Sequence, residues 1–272
     1  LKSAVIRNLV NLAYRLGYLG VNTFTVFQNS TDMDNFLKRG IVKKENVELI
    51  RGSGVNTKNY CFSKEPVGTP VVVLASRLIW EKGVGEFVEA AKILKGSGLE
   101  CRMVLVGDCD PDSTGSVPQE QLEKWHSEGI IEWWGHKNNM VEVFTNSHIA
   151  CLPSYHEGTP RVLLEAASCG RAIVTTDVPG CRQIVKEKEG GLTVPVKNSE
   201  ALAESIRILV SNPKLRKKMG ERGREIILAE FADDIIISQT MALYNRLLIN
   251  IGLNPEPLAI NINKKIESRS NN

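Results

Sequence analysis

Two cationic side chains, Arg77 and Lys82, follow the apolar run Val71–Ala75 and suggest a ligand for this part of the chain. Arginine offers a planar fork of N–H donors and lysine a compact ammonium, and both suit the oxygens of a diphosphate. Gly83, directly after them, lets the backbone turn tightly. A solvated loop with an ion pair to Glu81 would explain the same residues, so this stretch alone leaves both interpretations open.

Two glutamates eight positions apart, Glu157 and Glu165, carry a stronger signal. Gly158 lets a backbone approach a ligand closely, and Pro160 fits the first turn of a helix that runs to Cys169. The start of that helix would offer unpaired N–H groups and a positive dipole end to a phosphate. The two carboxylates could then hold hydroxyl groups at opposite ends of one ligand. A helix N-terminus that merely carries acidic residues is the alternative.

A D-x-D sequence, Asp108-Cys109-Asp110, stands in a segment that also begins like a calcium-binding loop. The segment lacks the glycine and the glutamate that a calcium loop has at its sixth and twelfth positions. An Asp- and Pro-rich turn is the better interpretation. His126 and His148 lack the H-x-x-x-H spacing of metal ligands. We therefore predict no metal site.

The order of the apolar runs predicts the sheet that positions these residues. The runs are Val71–Ala75, Arg102–Val106, Ile130–Trp134, His148–Pro153, Ala172–Thr176 and Leu192–Val196, with helical patterns at 84–94, 118–127, 138–146, 160–169 and 180–187. Strands that are apolar throughout are buried on both faces, and their alternation with helices requires crossovers. The pattern predicts an α/β fold with a doubly wound, Rossmann-like parallel sheet, whose ligands bind outside the carboxyl ends of the strands.

The remaining sequence divides the chain into three parts. A strand at Thr23–Gln28, a helix at Asp32–Arg39 and a strand at Val47–Ile50 precede the sheet, and helical sequence runs from Ser199 to about Leu248. We predict a partial amino-terminal domain with a linker over 1–66, a ligand-binding domain with carboxyl-terminal helices over 67–250, and a polar tail over 251–272. The start, Leu1-Lys2-Ser3, resembles the inside of a longer chain.

Composition narrows the class of protein. The chain has 272 residues, 42% of them hydrophobic, and a net charge of +3, which is too small to indicate nucleic acid as a partner. No apolar run approaches the roughly 20 residues of a membrane span. The six cysteines form no C-x-x-C pair, so we expect free thiols in a reducing cytoplasm.

From about Thr23 to Leu248 the chain resembles the carboxyl-terminal part of the family 4 retaining glycosyltransferases of the GT-B type. The matching stretches are Arg77-Leu78-x-x-x-Lys82-Gly83, Val106-Gly107-Asp108, Trp134-Gly135-His136 and Glu157-x7-Glu165, while Gly52-Ser53-Gly54-Val55-Asn56 resembles the segment before the family's second domain. The resemblance implies that only the last elements of the acceptor-binding domain lie in residues 1–66.

The family pattern implies a role for each matching residue. Arg77 and Lys82 would neutralise the donor diphosphate, and Glu157 would hold hydroxyl groups of the transferred sugar. Glu165 would hold the ribose, and the backbone around Gly135-His136 would meet the base. The rest of the nucleotide-binding set that the resemblance implies consists of Gly107, Gly158, Thr159, Pro160 and Val162.

The implied reaction moves a hexose or N-acetylhexosamine from a nucleotide diphosphate sugar, UDP-linked by family habit, to a lipid-linked or polysaccharide acceptor of the cell envelope. It proceeds with retention and without a metal or other cofactor. We expect a cytoplasmic protein, and Lys214–Lys218 is either a solvated helix face or a peripheral contact with the inner face of the membrane.

Two further classes of function compete with an enzyme. The first is a non-catalytic module that holds a nucleotide sugar. The second is a nicotinamide oxidoreductase, which is disfavoured because the first strand leads into Ala75-Ser76-Arg77-Leu78 instead of G-x-G-x-x-G. A sugar-nucleotide epimerase of related fold is more remote. Coding sequence upstream of Leu1 for roughly 100–200 residues would separate an enzyme from the module.

Overall fold

A computed structural model describes residues 2–18, 23–110, 112–186 and 189–253. The elements, in chain order, are α1 (Lys2–Gly17), β1 (Thr25–Phe27), α2 (Ser30–Lys38), β2 (Val47–Leu49), β3 (Val71–Ala75), α3 (Val84–Gly96), β4 (Arg102–Val106), α4 (Gln119–Ser127), β5 (Glu132–Trp133), α5 (Met140–Thr145), β6 (Ile149–Leu152), α6 (Arg161–Ser168), β7 (Ala172–Thr176), α7 (Pro179–Val185), β8 (Gly191–Val194), α8 (Ser199–Ser211), α9 (Pro213–Glu230) and α10 (Asp233–Asn250). Most of the predicted tail, from residue 254 on, lies outside the described residues, as do Pro111 and the end of the predicted 180–187 helix.

The sheet has the order β5-β4-β3-β6-β7-β8, and every neighbouring pair of strands is parallel. The strands proceed outward from β3 to β5 and then return to add β6, β7 and β8 on the other side. This order confirms the doubly wound α/β fold, and it places the topological switch point between β3 and β6.

Alternate residues of the central strands enter cores on opposite faces of the sheet. Val72 and Leu74 belong to the core that contains α3, α4 and α8. Val71 and Val73 belong to the core that contains α5 and α6. Both faces of β3 are therefore covered, which is why its sequence is apolar at every position.

Several predicted bounds need correction. The run Ile130–Trp134 contributes only Glu132 and Trp133 to a strand. The predicted strand at Leu192–Val196 runs instead over Gly191–Val194, and the predicted helix from Ser199 to Leu248 is interrupted at Asn212. Asn212 caps α9 by accepting from the N–H of Leu215, and Pro213 follows at the first turn, where its missing N–H is harmless.

The chain divides into two compact units, one up to Ile236 and one from Ile237. The first contains the sheet and everything before it, and the described part of the second contains the rest of α10 and residues up to 253. Among the described helices, none has both the length and the apolar character that crossing a bilayer requires.

Residues 2–18 and 23–56, the amino-terminal segment, contain a small parallel pair of strands, β1 and β2. Their core consists of Phe27, Ile41 and Val42, and α2 covers it. Asn29 starts α2 by accepting a hydrogen bond from the N–H of Asp32 at 2.8 Å.

The linker, residues 57–66, is fastened to the domain that follows it. Its contacts are Arg224 to the carbonyl of Tyr60, Arg171 to the hydroxyl of Ser63, Arg216 to the carboxylate of Glu65 and His148 to the carbonyl of Pro66. The Arg216–Glu65 pair is at 2.9 Å, with side chains only 5% and 9% exposed. A buried ion pair with further hydrogen bonds fixes this part of the linker against the domain.

Candidate functional site

The predicted site residues gather at the carboxyl edge of the sheet. Arg77 and Lys82 follow β3, and Glu157 follows β6, so the two loops face each other at the switch point. Gly83 allows them to approach, since it has φ of 76° and a Cβ there would lie 2.2 Å from the carbonyl oxygen of Pro153. A side chain at this position would push the two loops apart.

Lys82 and Glu157 form an ion pair across this crevice. Nζ of Lys82 lies 2.6 Å from Oε1 of Glu157, and the side chains are 22% and 10% exposed. The nearby Cys181 is buried, and burial raises the pKa of its thiol to about 12, so it stays protonated at neutral pH. The sequence predicted separate contacts with a ligand for the two residues, whereas the structure joins them directly.

Arg77 also has a carboxylate partner. Its Nη1 lies 3.1 Å from Oδ2 of Asp110, and the Arg77 side chain is 68% exposed. Asp110 belongs to a turn, because its carbonyl accepts from the N–H of Ser113 and its N–H donates to the hydroxyl of Ser116. Asp110 of the D-x-D sequence therefore pairs with the predicted phosphate-binding arginine.

A cleft of about 540 Å³ lies on the α5–α6 side of the edge. The predicted residues that line it are Arg77, Gly107, His136, Val162 and Glu165. Lys137 and Met140, which follow β5 and which the sequence analysis did not single out, line it too. Lys82, Glu157, Gly135 and residues 158–160 do not line this cleft, so the predicted set divides between the cleft and the neighbouring loop.

Glu165 is a buried carboxylate in that cleft. It is 7% exposed, and Nε of Arg161, one helical turn earlier, donates to its Oε1 at 2.9 Å. Burial raises the pKa of the neighbouring Tyr60 to about 12, and the Glu165 carboxylate adds to this shift. A buried acceptor with one charged partner has lone pairs left for hydroxyl groups of a ligand.

The segment Glu157–Pro160 leads from β6 into α6. Pro160 is the N-cap residue of α6, one position before the predicted first turn, and no side chain caps this end of the helix. The site that a Cβ of Gly158 would occupy lies 3.0 Å from Oε1 of Gln28. The amino-terminal segment therefore contacts residues 157–160, which are called the donor loop below because the sequence analysis predicts donor contacts for them.

Gly107 lines the cleft and is held by the backbone that follows β5. Gly107 has φ of 135°, and a Cβ there would lie 1.9 Å from the carbonyl oxygen of Ser76. Its N–H donates to the carbonyl of Gly135, and its carbonyl accepts from the indole of Trp133. His136 is exposed, with Nδ1 3.9 Å from Oδ2 of Asp108. The backbone after β4 and β5 is thus held rigidly beside the cleft.

No group of three or more His, Cys, Asp and Glu side chains in the described ranges could hold a metal ion. All six cysteines are free, and Cys151, Cys169 and Cys181 are buried. Whether the site acts without a metal remains a prediction.

The structure adds residues that the motifs did not indicate. Lys137 and Met140 could have been found, since they follow β5 at the same edge of the sheet. Tyr60 and Asn29 could not, because both come from residues far away in sequence with no motif of their own. Gln183 of α7 belongs to the same group, since it contacts Thr159 of the donor loop.

Comparison with known proteins identifies a single family. Residues 58–226 match the family described as glycosyl transferases group 1. An N,N'-diacetylbacillosaminyl-diphospho-undecaprenol alpha-1,3-N-acetylgalactosaminyltransferase of Campylobacter jejuni is 30% identical over 263 residues, which cover 92% of this chain and 67% of that protein. The N-acetyl-alpha-D-glucosaminyl L-malate synthase of Bacillus anthracis is 25% identical, over 89% of this chain and 58% of that protein.

Solved structures show the same fold. Sucrose-phosphate synthase from Thermosynechococcus elongatus superposes with a TM-score of 0.72 and 25% identity, covering 83% of this chain and 58% of that one. HepE from Anabaena, solved in complex with UDP, gives a TM-score of 0.75 at 18% identity, covering 87% of this chain and 68% of that one.

These matches place the chain in the group 1 glycosyltransferases, with the GT-B type of fold that the resemblance implied. The chain spans 67% of the Campylobacter relative and 46% of a capsular polysaccharide glycosyltransferase, CapM, of Staphylococcus aureus.

Proposed function

We propose that the chain is the donor-binding part of a retaining glycosyltransferase. It transfers a hexose or N-acetylhexosamine from a nucleotide diphosphate sugar, UDP-linked, to a lipid-linked or polysaccharide acceptor. The observation that carries the proposal is the convergence at the β3–β6 switch point, where Arg77 and Glu165 line one cleft and Lys82 meets Glu157 across the crevice. The names of the Campylobacter and Bacillus relatives support an N-acetylhexosamine, and the UDP complex of HepE supports uridine.

The diphosphate would compete for the two cations with the carboxylates that already contact them. Arg77 is largely exposed, and Asp110 is its one side-chain partner among the described residues, so Arg77 can turn towards an incoming phosphate at little cost. Lys82 would share its three N–H donors between Glu157 and the phosphate. With the start of α6 nearby, these groups would supply the counter-charge that other sites obtain from a metal ion.

The two glutamates would act on different parts of the donor. Glu165 shares the cleft with His136 and Val162, so its free lone pairs suit the ribose of a nucleotide lying there. Glu157 stands on the loop beside the cleft, where the sugar beyond the diphosphate would lie. Only Oε1 of its carboxylate contacts Lys82, so the other oxygen is placed to accept from sugar hydroxyl groups.

Retention would follow from attack on the same face of the sugar from which the diphosphate departs. The acceptor hydroxyl would lose its proton to the departing phosphate oxygen, and the bond from the anomeric carbon to that phosphate would break as the new glycosidic bond forms. In this proposal Arg77 and Lys82 stabilise the negative charge on the leaving group, and Glu157 holds the sugar in line.

The exposed apolar side of α1 supports the proposal that the amino-terminal segment belongs to an acceptor-binding domain. Helix α1 contacts α2 through its polar side, where Tyr14 stacks edge-on with Phe36 and Asn11 accepts from Arg39. Its apolar side chains Ile6, Leu9, Leu12 and Leu16 are 52–60% exposed. An amphipathic helix with its apolar side outward, next to a parallel pair of only two strands, fits the end of an acceptor-binding domain that continues in a longer protein.

A second candidate is a module that binds a nucleotide sugar without transferring it. This candidate would suit a donor site that acts without an acceptor-binding domain. For the transferring form, a lipid-linked acceptor would place the protein close to the inner face of the membrane.

Calorimetric titration of the chain against UDP, GDP and ADP, followed by their sugars, tests the proposal. We expect saturable binding of UDP and of a UDP-hexose or UDP-N-acetylhexosamine. Absence of binding to all three diphosphates would reject the donor site. Transfer by the chain to undecaprenyl diphosphate-linked acceptors would separate the enzyme from the module.

A further inference from the structure

The backbone of the donor loop has a defined orientation, which Gly180 reveals. Gly180 is the second residue of α7, and a Cβ there would lie 2.4 Å from the carbonyl oxygen of Glu157 and 2.3 Å from that of Gly158. Both carbonyl groups therefore point towards α7. In a trans peptide the N–H points opposite to the carbonyl, so the N–H groups of Gly158 and Thr159 point away from α7.

These two N–H groups have no acceptor within the part of the chain that the structure describes. Gly158 itself is exposed. Exposed N–H groups of this kind are free to donate to water or to a ligand, and neighbouring ones that point the same way suit the oxygens of an anion. The loop thus holds two donors ready for a phosphate, provided that its peptide planes keep their orientation.

Asn29 holds the first of these planes from the amino-terminal segment. Its side chain is buried, and Oδ1 caps α2 through the N–H of Asp32. Its Nδ2 donates to the Asp32 carboxylate at 2.8 Å and reaches the carbonyl oxygen of Gly158 at 3.4 Å. The hydrogen bond that caps α2 fixes the Asn29 side chain, and this side chain in turn restrains the carbonyl group of Gly158.

Gln183 holds the next residue from α7. Its Nε2 donates to Oγ1 of Thr159 at 2.7 Å, and the same hydroxyl oxygen lies 3.0 Å from the carbonyl oxygen of Gly158. Gln183 lies three positions after Gly180, so both residues occupy one face of α7. Helix α7 therefore leaves room at Gly180 for the carbonyl groups of Glu157 and Gly158, and through Gln183 it anchors the side chain of Thr159.

We propose that Asn29 and Gln183 are positioning residues for the donor diphosphate. They hold the Gly158–Thr159 peptide so that its N–H groups face the phosphate oxygens, although neither side chain touches the ligand. Asn29 is the less expected of the two, because it makes the amino-terminal segment part of the donor site. The inference rests on the proposed function, since it takes the nucleoside diphosphate as the ligand.

The test uses Asn29→Ser, since serine keeps the helix cap but is too short to reach Gly158. The matched control is Asn212→Ser, because Asn212 caps α9 in the same way and has no contact with the donor loop. Gln183→Leu removes the second anchor at similar size. Calorimetry with UDP and with uridine, which lacks the phosphates, is combined with thermal unfolding of each variant.

We expect Asn29→Ser and Gln183→Leu each to weaken UDP about 2- to 10-fold, as the loss of one hydrogen bond would. Affinity for uridine should stay unchanged, and Asn212→Ser should bind both ligands like the wild-type chain. Equal losses for UDP and uridine would show general damage to the site and overturn the inference.

Arg77→Ala separates this inference from the proposed function. If Arg77→Ala weakens UDP binding while Asn29→Ser and Gln183→Leu bind normally, the diphosphate site stands and the positioning roles fail. If both anchor variants weaken UDP but Arg77→Ala does not, the positioning roles stand and the role of Arg77 fails. A wild-type chain that binds no nucleoside diphosphate rejects both.

Discussion

Lys82 and Glu157, 75 positions apart in sequence, meet at 2.6 Å where the loops after β3 and β6 face each other. The ammonium of Lys82 and the carboxylate of Glu157 are therefore already paired before any ligand binds. A donor bound as proposed would enter a site in which the ammonium and the carboxylate already contact each other. Substitutions at the two positions should consequently have different, ligand-dependent effects.

Glu157→Gln should weaken a UDP-sugar but not UDP. The substitution removes a charged acceptor for the sugar hydroxyl groups, at a cost of about 1–2 kcal/mol, and it releases the Lys82 ammonium for the diphosphate. UDP affinity should stay equal or rise. Calorimetry with the two ligands measures the difference, and equal losses for both would refute the sugar role.

Glu165→Gln should weaken UDP and the UDP-sugar by the same factor, because the ribose is common to both. Glu132→Gln provides a control, since Glu132 is paired with Arg102 at the start of β4, away from the cleft. A loss of melting temperature without any loss of affinity would mean that Glu165 only stabilises α6.

Arg77→Ala should reduce UDP affinity by roughly 1.5–3 kcal/mol, the range for a charge-assisted hydrogen bond. Arg207→Ala is the control, because Arg207 forms a surface ion pair with Glu204 on α8. Both variants should keep the stability of the wild-type chain, since exposed pairs contribute little. Unchanged UDP affinity in Arg77→Ala would remove this residue from the diphosphate site.

UDP binding should survive EDTA, because the counter-charge is built into the protein. Asp110→Asn should keep UDP affinity or raise it, since it removes the carboxylate that competes with the phosphate for Arg77. Titrations with and without Mn²⁺ or Mg²⁺ test this. A strong gain with metal that Asp108→Asn and Asp110→Asn abolish would instead assign the D-x-D sequence to a metal.

Glu65→Leu should destabilise the fold by about 3–5 kcal/mol, because it leaves the Arg216 guanidinium buried without its counter-ion. Glu132→Leu is the control, since its ion pair with Arg102 is partly exposed and should contribute at most about 1 kcal/mol. Urea unfolding monitored by circular dichroism measures both. Similar losses in the two variants would show that the linker is not held by this pair.

The sequence predicts the buried strands well and the edge strand poorly. β3, β4 and β7 have the predicted bounds, because burial on both faces makes their central residues apolar in succession, although Arg102 at the start of β4 is exposed and β7 ends with two threonines. Ile130 and Ile131 are equally apolar but belong to no strand. Their N–H groups donate to the carbonyl of Trp125, so they complete the end of α4 instead.

The sequence predicts that the candidate site residues gather at one edge of the sheet but not how they contact each other. The rule that ligands bind at the carboxyl edge selects Arg77, Lys82 and Glu157 from sequence alone. It cannot predict that Lys82 and Glu157 would contact each other, since that depends on the approach that Gly83 allows. Contacts from Asn29 or Tyr60 were likewise invisible, because no local pattern links them to the sheet.

The fastening of the linker has a consequence for how such proteins can be recombined. If residues 57–66 were replaced together with the acceptor-binding half, Arg171 and Arg216 would be left in the interior without Ser63 and Glu65. A chimera that keeps its own linker avoids this loss. The junction of such a chimera should lie before Arg51, because Arg51 pairs with Glu230 and the N–H of Val55 donates to the carbonyl of Phe231.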